Sequence, residues 1–293
     1  MSNDACVNAA SASTGLSYTR PRAATASGSS SEASSVKVVH AVLTKVRRLV
    51  AEAGGRYPEP FTLELGSKNP LIVEPDSDLD LAFQPPSSQD VIFFHQGQVC
   101  CAGSRVFVHE AVYDVFVARS TRAAQDRPVG NPFEAEVLQG PQVDSAEFNK
   151  AMRHINLGRT EGARLAAGGR RVRDKGFFVE PTVFTGGRDD MTIARDETFG
   201  PVQSIMSYKS LDEVRKLVIK RANATPSGLA AGVFSSNLDT VNTLARALKG
   251  GTVAVPIRSY KDSGMGREKG EDALQHYTQV KAVVQQLRGA AGI

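Results

Sequence analysis

Cysteine is scarce in this chain: 293 residues hold three, Cys6 and the adjacent pair Cys100 and Cys101. That number cannot build a disulfide framework, and the spacing is not that of a zinc site. Neighbouring cysteines strain the intervening peptide when they bridge, so Cys100 and Cys101 read as thiols in a reducing compartment. No apolar run approaches the roughly 18 residues a membrane-spanning helix needs, so no membrane span is expected. A block of one charge sign is missing too. The formal net charge is +4 and the pI about 9.0, yet Lys/Arg and Asp/Glu alternate along most of the chain, which argues against a nucleic-acid partner. With 41% hydrophobic and 23% charged residues, the chain can still bury a sizeable core in one or two domains.

Residues 1–35 are rich in Ser, Ala, Thr and Gly, carry only Arg20 and Arg22 as basic residues, and show no apolar period, so disorder is expected there. The segment is Ser-rich and acid-poor like a transit peptide, but it has few arginines and no amphipathic face. It also lacks the apolar core of a secretory signal. A cytoplasmic location follows, with a mitochondrial or other organellar address as the alternative. From Val36 to Glu52, Val39, Val42, Leu43, Val46, Leu49 and Val50 recur at spacings of three and four, which predicts a helix ended by Gly54 and Gly55. Two short strands are expected around a Gly66 turn, Phe61 to Leu65 and Pro70 to Val73. Further strands are expected at Arg105 to Val108, near Leu165 and Val179, at Leu229 to Phe234 and at Thr252 to Val255. Helices are expected at Ala111 to Arg122, Phe148 to Glu161, from Leu211 onward and at Leu238 to Leu248. Strands separated by helices imply an α/β fold with a mostly parallel sheet and flanking helices. Tyr277 to Leu287 reads as a terminal strand.

A reactive cysteine needs a lowered pKa or a nearby base, and small residues around it so that a carbonyl can approach. The run Phe93-Phe94-His95-Gln96-Gly97-Gln98-Val99-Cys100-Cys101-Ala102-Gly103 supplies such residues, although composition alone favours a buried structural thiol. Glu64, taken by itself, is a surface residue at a strand end.

The longer pattern changes both readings. The cysteine run, with Gly97-Gln98, one variable residue and then Cys100, resembles the cysteine box of the aldehyde dehydrogenases. Thr62-Leu63-Glu64-Leu65-Gly66-Ser67-Lys68-Asn69-Pro70 resembles the glutamate box of the same family, and Glu197-Thr198-Phe199-Gly200-Pro201 its third box. The resemblance covers roughly residues 42 to 287. It is nearest to the tetrameric cytosolic and mitochondrial members, and it places this chain in their C-terminal, catalytic portion. It implies Cys100 as nucleophile, Glu64 as general base, and Leu65, Glu197 and Phe199 as contacts of an NAD cofactor, with NADP not excluded. An aldehyde substrate is implied, and assembly into a homo-oligomer or with full-length homologues through the Tyr277 to Leu287 strand. The implied organisation is a disordered segment over 1–35, a remnant of the cofactor-binding domain over 36–66, the catalytic domain over 67–259 and a C-terminal segment with an oligomerisation strand over 260–293.

Departures from the family pattern lead to further expectations. Most of the cofactor domain, with an oxyanion-hole asparagine, is expected to be missing, so the fold is read as incomplete. Either an impaired dehydrogenase or an inactive assembly partner would follow. Pro85-Pro86 falls where the family has a helix leading into the cysteine loop, and proline inside a helix costs roughly 3 kcal/mol or more, so the loop is expected to be displaced. Ser67 stands where the family has a glycine, which would strain the backbone if φ there is positive. After Val255 an Asn-containing loop and a Pro-Phe-Gly-Gly turn are absent. Gly264-Met265-Gly266-Arg267 is read as a turn, because no βαβ unit precedes it as a phosphate loop requires.

Overall fold

A computed structural model describes residues 37–41, 61–83, 89–209, 211–253 and 264–265. The expectations for residues 1–35, for Pro85-Pro86, for the loop after Val255 and for Tyr277 to Leu287 lie outside the described residues.

Twelve strands and seven α-helices are described. In chain order the first strands are β1 (Lys37–Ala41), β2 (Phe61–Leu65) and β3 (Pro70–Val73), followed by α1 (Leu79–Phe83), α2 (Asp90–Phe93) and a 3-10 turn at Phe94–Gly97. Next come β4 (Arg105–His109), α3 (Glu110–Asp126), α4 (Ser145–Thr160), β5 (Arg164–Ala167), β6 (Arg171–Val172), β7 (Phe178–Val179) and β8 (Thr182–Thr185). The remainder are α5 (Thr192–Arg195), β9 (Val202–Tyr208), α6 (Leu211–Ala222), β10 (Ala230–Phe234), α7 (Leu238–Ala247), β11 (Thr252–Val253) and β12 (Gly264–Met265).

The fold is α/β. Seven strands form one sheet in the order β11-β10-β3-β4-β9-β8-β5, parallel throughout except where β5 runs against β8. Parallel strands with helices on both faces bury both sets of side chains, and β3 and β4 are buried at every position. Period-2 alternation then sorts their residues between two cores. Ile72, Phe107, Phe184 and Met206 face one core with Phe148, Ala151 and Ile155 of α4, Val218 of α6 and Leu244 of α7. Leu71, Val73, Val106, Val108, Val183 and Ile205 face the other, with Ile92 and Phe93 of α2 and Phe116 and Ala124 of α3. Among the described residues no helix is long and apolar enough to cross a membrane.

A second, three-stranded sheet has the order β1-β2-β12, with β1 parallel and β12 antiparallel to β2. It corrects the reading of Val36 to Glu52 as one helix, because Lys37–Ala41 is a strand in register with Phe61–Leu65. Adjacent β-branched Val38 and Val39 suit a pleated strand, and the cross-strand partner outweighs a helical spacing that residues 37–41 share only through Val39. Strand β9 was not expected at all. It lies between β4 and β8, and its buried polar residues Gln203 and Ser204 break the apolar run that marks a central strand.

Phe184 is fully buried, whereas Phe133 is 95% exposed. Phe184→Ala should therefore lower unfolding free energy by about 3–5 kcal/mol. Phe133→Ser should change it by no more than about 0.5 kcal/mol. Urea denaturation of the two variants checks both, and similar midpoints would contradict the two-sided core.

Candidate active site

The path from β2 to β3 organises this region. Strand β2 ends at Leu65 in the small sheet and β3 starts at Pro70 in the large one, so residues 66–69 cross from one sheet to the other. Ser67, Lys68 and Asn69 are all buried on this crossing, and each must find polar partners for its backbone. The Ser67 N–H donates to Glu197 Oε1 at 2.8 Å, and the Lys68 N–H to Ser227 Oγ at 3.0 Å. Ser67 does not adopt a positive φ, so the expected strain from replacing glycine there does not arise. Its hydroxyl instead accepts from the Leu229 N–H at 3.3 Å.

Asn69 uses its whole side-chain amide. Nδ2 donates to the carbonyls of Cys100 and Ala102, at 2.8 and 3.0 Å, and Oδ1 accepts from the Ala230 N–H at 2.9 Å. One buried residue thus ties the cysteine loop to β10 and to the entrance of β3. The cysteine loop is held at the Cys100 carbonyl itself.

Before the thiols the chain turns sharply. His95, Gln96 and Gly97 take φ values of 50°, 59° and 71°, a left-handed run that is strained for the two residues with a Cβ, by roughly 1–3 kcal/mol each. Side chains from both ends of the following segment hold it. Gln98 Oε1 accepts from the Val143 N–H at 2.9 Å, and Gln142 Nε2 donates to the Gln96 carbonyl at 3.4 Å. Gly97 is required, because a Cβ there would collide with the Gly200 backbone in addition to the positive φ. After the turn Cys100 is exposed and Cys101 half-buried.

Glu197, Thr198 and Phe199 arrive on the loop before β9. Phe199 has φ 54°, and Lys150 Nζ lies 5.9 Å from the centre of its ring. Thr198 Oγ1 pairs with His154 Nδ1 at 2.9 Å. The Glu197 carboxylate lies against Gly66, where any Cβ would collide with it. Burial pushes the Glu197 carboxyl up to about 7, opposed by the Ser67 N–H, Lys150 and Lys68. His154 is driven down to about 4 by burial and then by Lys68, Lys150 and Arg153, so its ring is neutral at pH 7.

The three boxes therefore meet one another: Asn69 joins the first to the second, Ser67 joins the first to the third, and Gly97 abuts Gly200 between the second and third. Of the residues singled out in the sequence, Cys100, Leu65, Glu197 and Phe199 belong to these meeting segments. Leu65 is 1% exposed at the end of β2. Glu64 precedes it on β2, in register with His40 and Gly264.

Sequence reasoning missed the wall behind the third box. Glu147, Lys150 and His154 stand at i, i+3 and i+7 on α4, one face of a helix whose first turn is capped by Asp144 Oδ1 accepting from the Glu147 N–H at 2.9 Å. Lys150 Nζ lies 3.5 Å from Glu147 Oε2 with both side chains nearly buried. The polar spacing was visible in the sequence; what it faced was not. Asn69 and Lys68 were likewise present in the glutamate box without a reason to single them out.

The profile of the Aldehyde dehydrogenase family matches residues 31–283. Mitochondrial benzaldehyde dehydrogenase of Antirrhinum majus is 50% identical over 259 residues, covering 85% of this chain and 47% of that protein. Mitochondrial aldehyde dehydrogenase of Homo sapiens is 46% identical over 258 residues, covering 84% of this chain and 49% of that protein. Among solved structures, the NAD+ complex of an aldehyde dehydrogenase from Bacillus cereus superposes with a TM-score of 0.78 at 39% identity, covering 84% of this chain and 51% of that one. The chain spans about half the length of the curated relatives it matches.

The difference in exposure between the two thiols has a direct consequence. In the folded protein iodoacetamide should label Cys100 ahead of Cys101, as peptide mass spectrometry would show. Equal labelling, or Cys101 first, would count against Cys100 as the accessible thiol.

Proposed function

On the premise that this chain belongs to the aldehyde dehydrogenase family, we propose that it carries the thiol chemistry of NAD(P)-dependent aldehyde oxidation, with Cys100 as nucleophile and Glu64 as general base. The observation that carries this reading is the meeting of the three boxes around residues 66–69, with an exposed thiol on a loop pinned from beneath by Asn69. A loop fixed in that way holds its sulfur in one place, and effective positioning is worth several powers of ten in rate.

The Cys100 thiolate attacks the aldehyde carbon, forming a C–S bond while the carbonyl electron pair moves to oxygen. A nicotinamide cofactor held by Glu197, Phe199 and Leu65 would supply the acceptor for the hydride that leaves this carbon. The product is a thioester on Cys100, one oxidation level above the aldehyde. Glu64 takes a proton from a water molecule that attacks the thioester; the C–S bond breaks, the thiolate is regenerated and a carboxylic acid leaves.

The residues present suit the nicotinamide end of such a cofactor. Glu197 offers a half-buried carboxylate that can accept from the hydroxyls of a ribose, and Phe199 an aromatic ring beside it. Leu65 closes β2 immediately before the turn on which Glu197 rests.

Two variants separate the roles. Cys100→Ser should abolish aldehyde-dependent NADH formation. Glu64→Gln should leave thioester formation intact and slow acid release by about 10²–10⁴, so that acylated Cys100 accumulates in intact-protein mass spectra. NADH formation that survives Cys100→Ser would remove the proposed nucleophile.

A further inference from the structure

Phe199 has a φ of 54°, a strained conformation for a residue with a Cβ, and such strain persists only where the neighbours hold it. After Phe199 the backbone does the holding: the Val202 N–H donates to the Gly200 carbonyl at 2.7 Å and the Thr182 N–H to the Pro201 carbonyl at 2.8 Å. Before it a side chain does. Thr198 is 2% exposed, and its hydroxyl meets His154 Nδ1 at 2.9 Å. We infer that His154 is a positioning residue for the third box, its ring tying Thr198 to α4 and so fixing the turn that aims Glu197 and Phe199, on the reading of those two residues as cofactor contacts given above.

Helix α4 is a firm support for such a tie. Its Ala151 and Ile155 are fully buried in the core against the large sheet, and Ile155 directly follows His154, so the ring cannot shift far unless the helix does. Lys150 also reaches the third box, with Nζ 5.9 Å from the centre of the Phe199 ring and 3.5 Å from Glu147 Oε2. A cation near a ring face attracts it over a broad range of placements, whereas a hydrogen bond of 2.9 Å sets both distance and direction. The His154 ring is neutral at pH 7, because burial first, and then Lys68, Lys150 and Arg153, drive its pKa to about 4. A neutral imidazole has one donor and one acceptor nitrogen and a threonine hydroxyl serves as either, so the bond to Thr198 is available in both tautomers. Two backbone amides report on the tie from either side. The Ser67 N–H is bonded to the Glu197 carboxylate, and the Val202 N–H to the Gly200 carbonyl, so a slack Thr198 would loosen both.

Amide hydrogen exchange on the full chain at pH 7 is the test. His154→Phe keeps a ring of similar size and removes the bond. Exchange at Ser67 and Val202 should then quicken by about tenfold, the usual effect of losing one hydrogen bond on a local opening, while Val106 and Phe107 of β4 exchange as in the parent. His154→Asn, whose side-chain amide reaches about as far as Nδ1, should bring both amides back to within about threefold of the parent. Thr198→Val removes the same bond from the other end and should quicken the same amides, and combining it with His154→Phe should add little. Thr198→Val decides the matter alone if His154→Phe does not fold. A histidine that only fills space would leave Ser67 and Val202 unchanged in His154→Phe, and one that only stabilises the fold would quicken Val106 and Phe107 equally; either result would overturn the inference. Millimolar NADH added to the parent separates the tie from the cofactor contacts. Slower exchange at Ser67 and Val202 with NADH, weakened in His154→Phe, supports both. Quickened exchange in His154→Phe with no protection of the parent by NADH would retain the tie and defeat the reading of Glu197 and Phe199 as cofactor contacts.

Discussion

The side-chain amide of Asn69 gives both donors to the carbonyls of Cys100 and Ala102 and its oxygen to the Ala230 N–H, and the geometry of the site depends on this arrangement. The residue is 2% exposed, and its amide bonds all three backbone groups from the interior, the Ala102 carbonyl also accepting from the Ser104 N–H. The interaction also fixes relative position. Strand β3 lies between β10 and β4 in the sheet, and Asn69 precedes it, so the cysteine loop is referenced to the most buried part of the fold. The left-handed run at His95 and Gln96 can persist because both of its flanks are tied down, at Asn69 on one side and at Gln142 and Val143 on the other.

The crossing between the two sheets concentrates polar groups in a small dehydrated space. Ser67, Lys68, Asn69, Glu197, Thr198 and His154 all meet there, and burial dominates the ionisation of each titratable member whose behaviour is perturbed. Lys68 and Glu197 are both driven toward neutrality by burial, and each is drawn back toward its charged form by the other. The Ser67 N–H, donating at 2.8 Å, holds the Glu197 carboxylate in a defined place beside Gly66.

Different parts of this organisation were legible to different degrees. The helices at Glu110–Asp126, Ser145–Thr160 and Leu238–Ala247 showed themselves through apolar spacing, and the strands on either side of Gly66 through short β-branched and apolar runs. That those two strands lie in different sheets could not be read, because pairing is a property of partners far away in sequence. Strand β9 escaped for a similar reason: Gln203 and Ser204 look like surface residues, yet they are buried between β4 and β8. In the site, Cys100, Glu64 and Glu197 stood out through the pattern of the boxes. Asn69, Lys68 and the α4 face of Glu147, Lys150 and His154 act through what they touch, and a linear sequence does not display contacts.

The central claim is that Asn69 sets the reactivity of Cys100 by fixing its loop. Asn69→Asp keeps an oxygen for the Ala230 N–H but replaces the Nδ2 donor with an oxygen that faces the Cys100 and Ala102 carbonyls. The decisive measurement is the rate at which Cys100 is acylated by an activated ester such as 4-nitrophenyl acetate, which needs no nucleotide, taken well below the melting transition of both proteins. The account predicts acylation slower by about 10²-fold in Asn69→Asp, the usual effect of misplacing a reacting group by about 1 Å. An unchanged rate on Cys100 in a folded Asn69→Asp protein would contradict it.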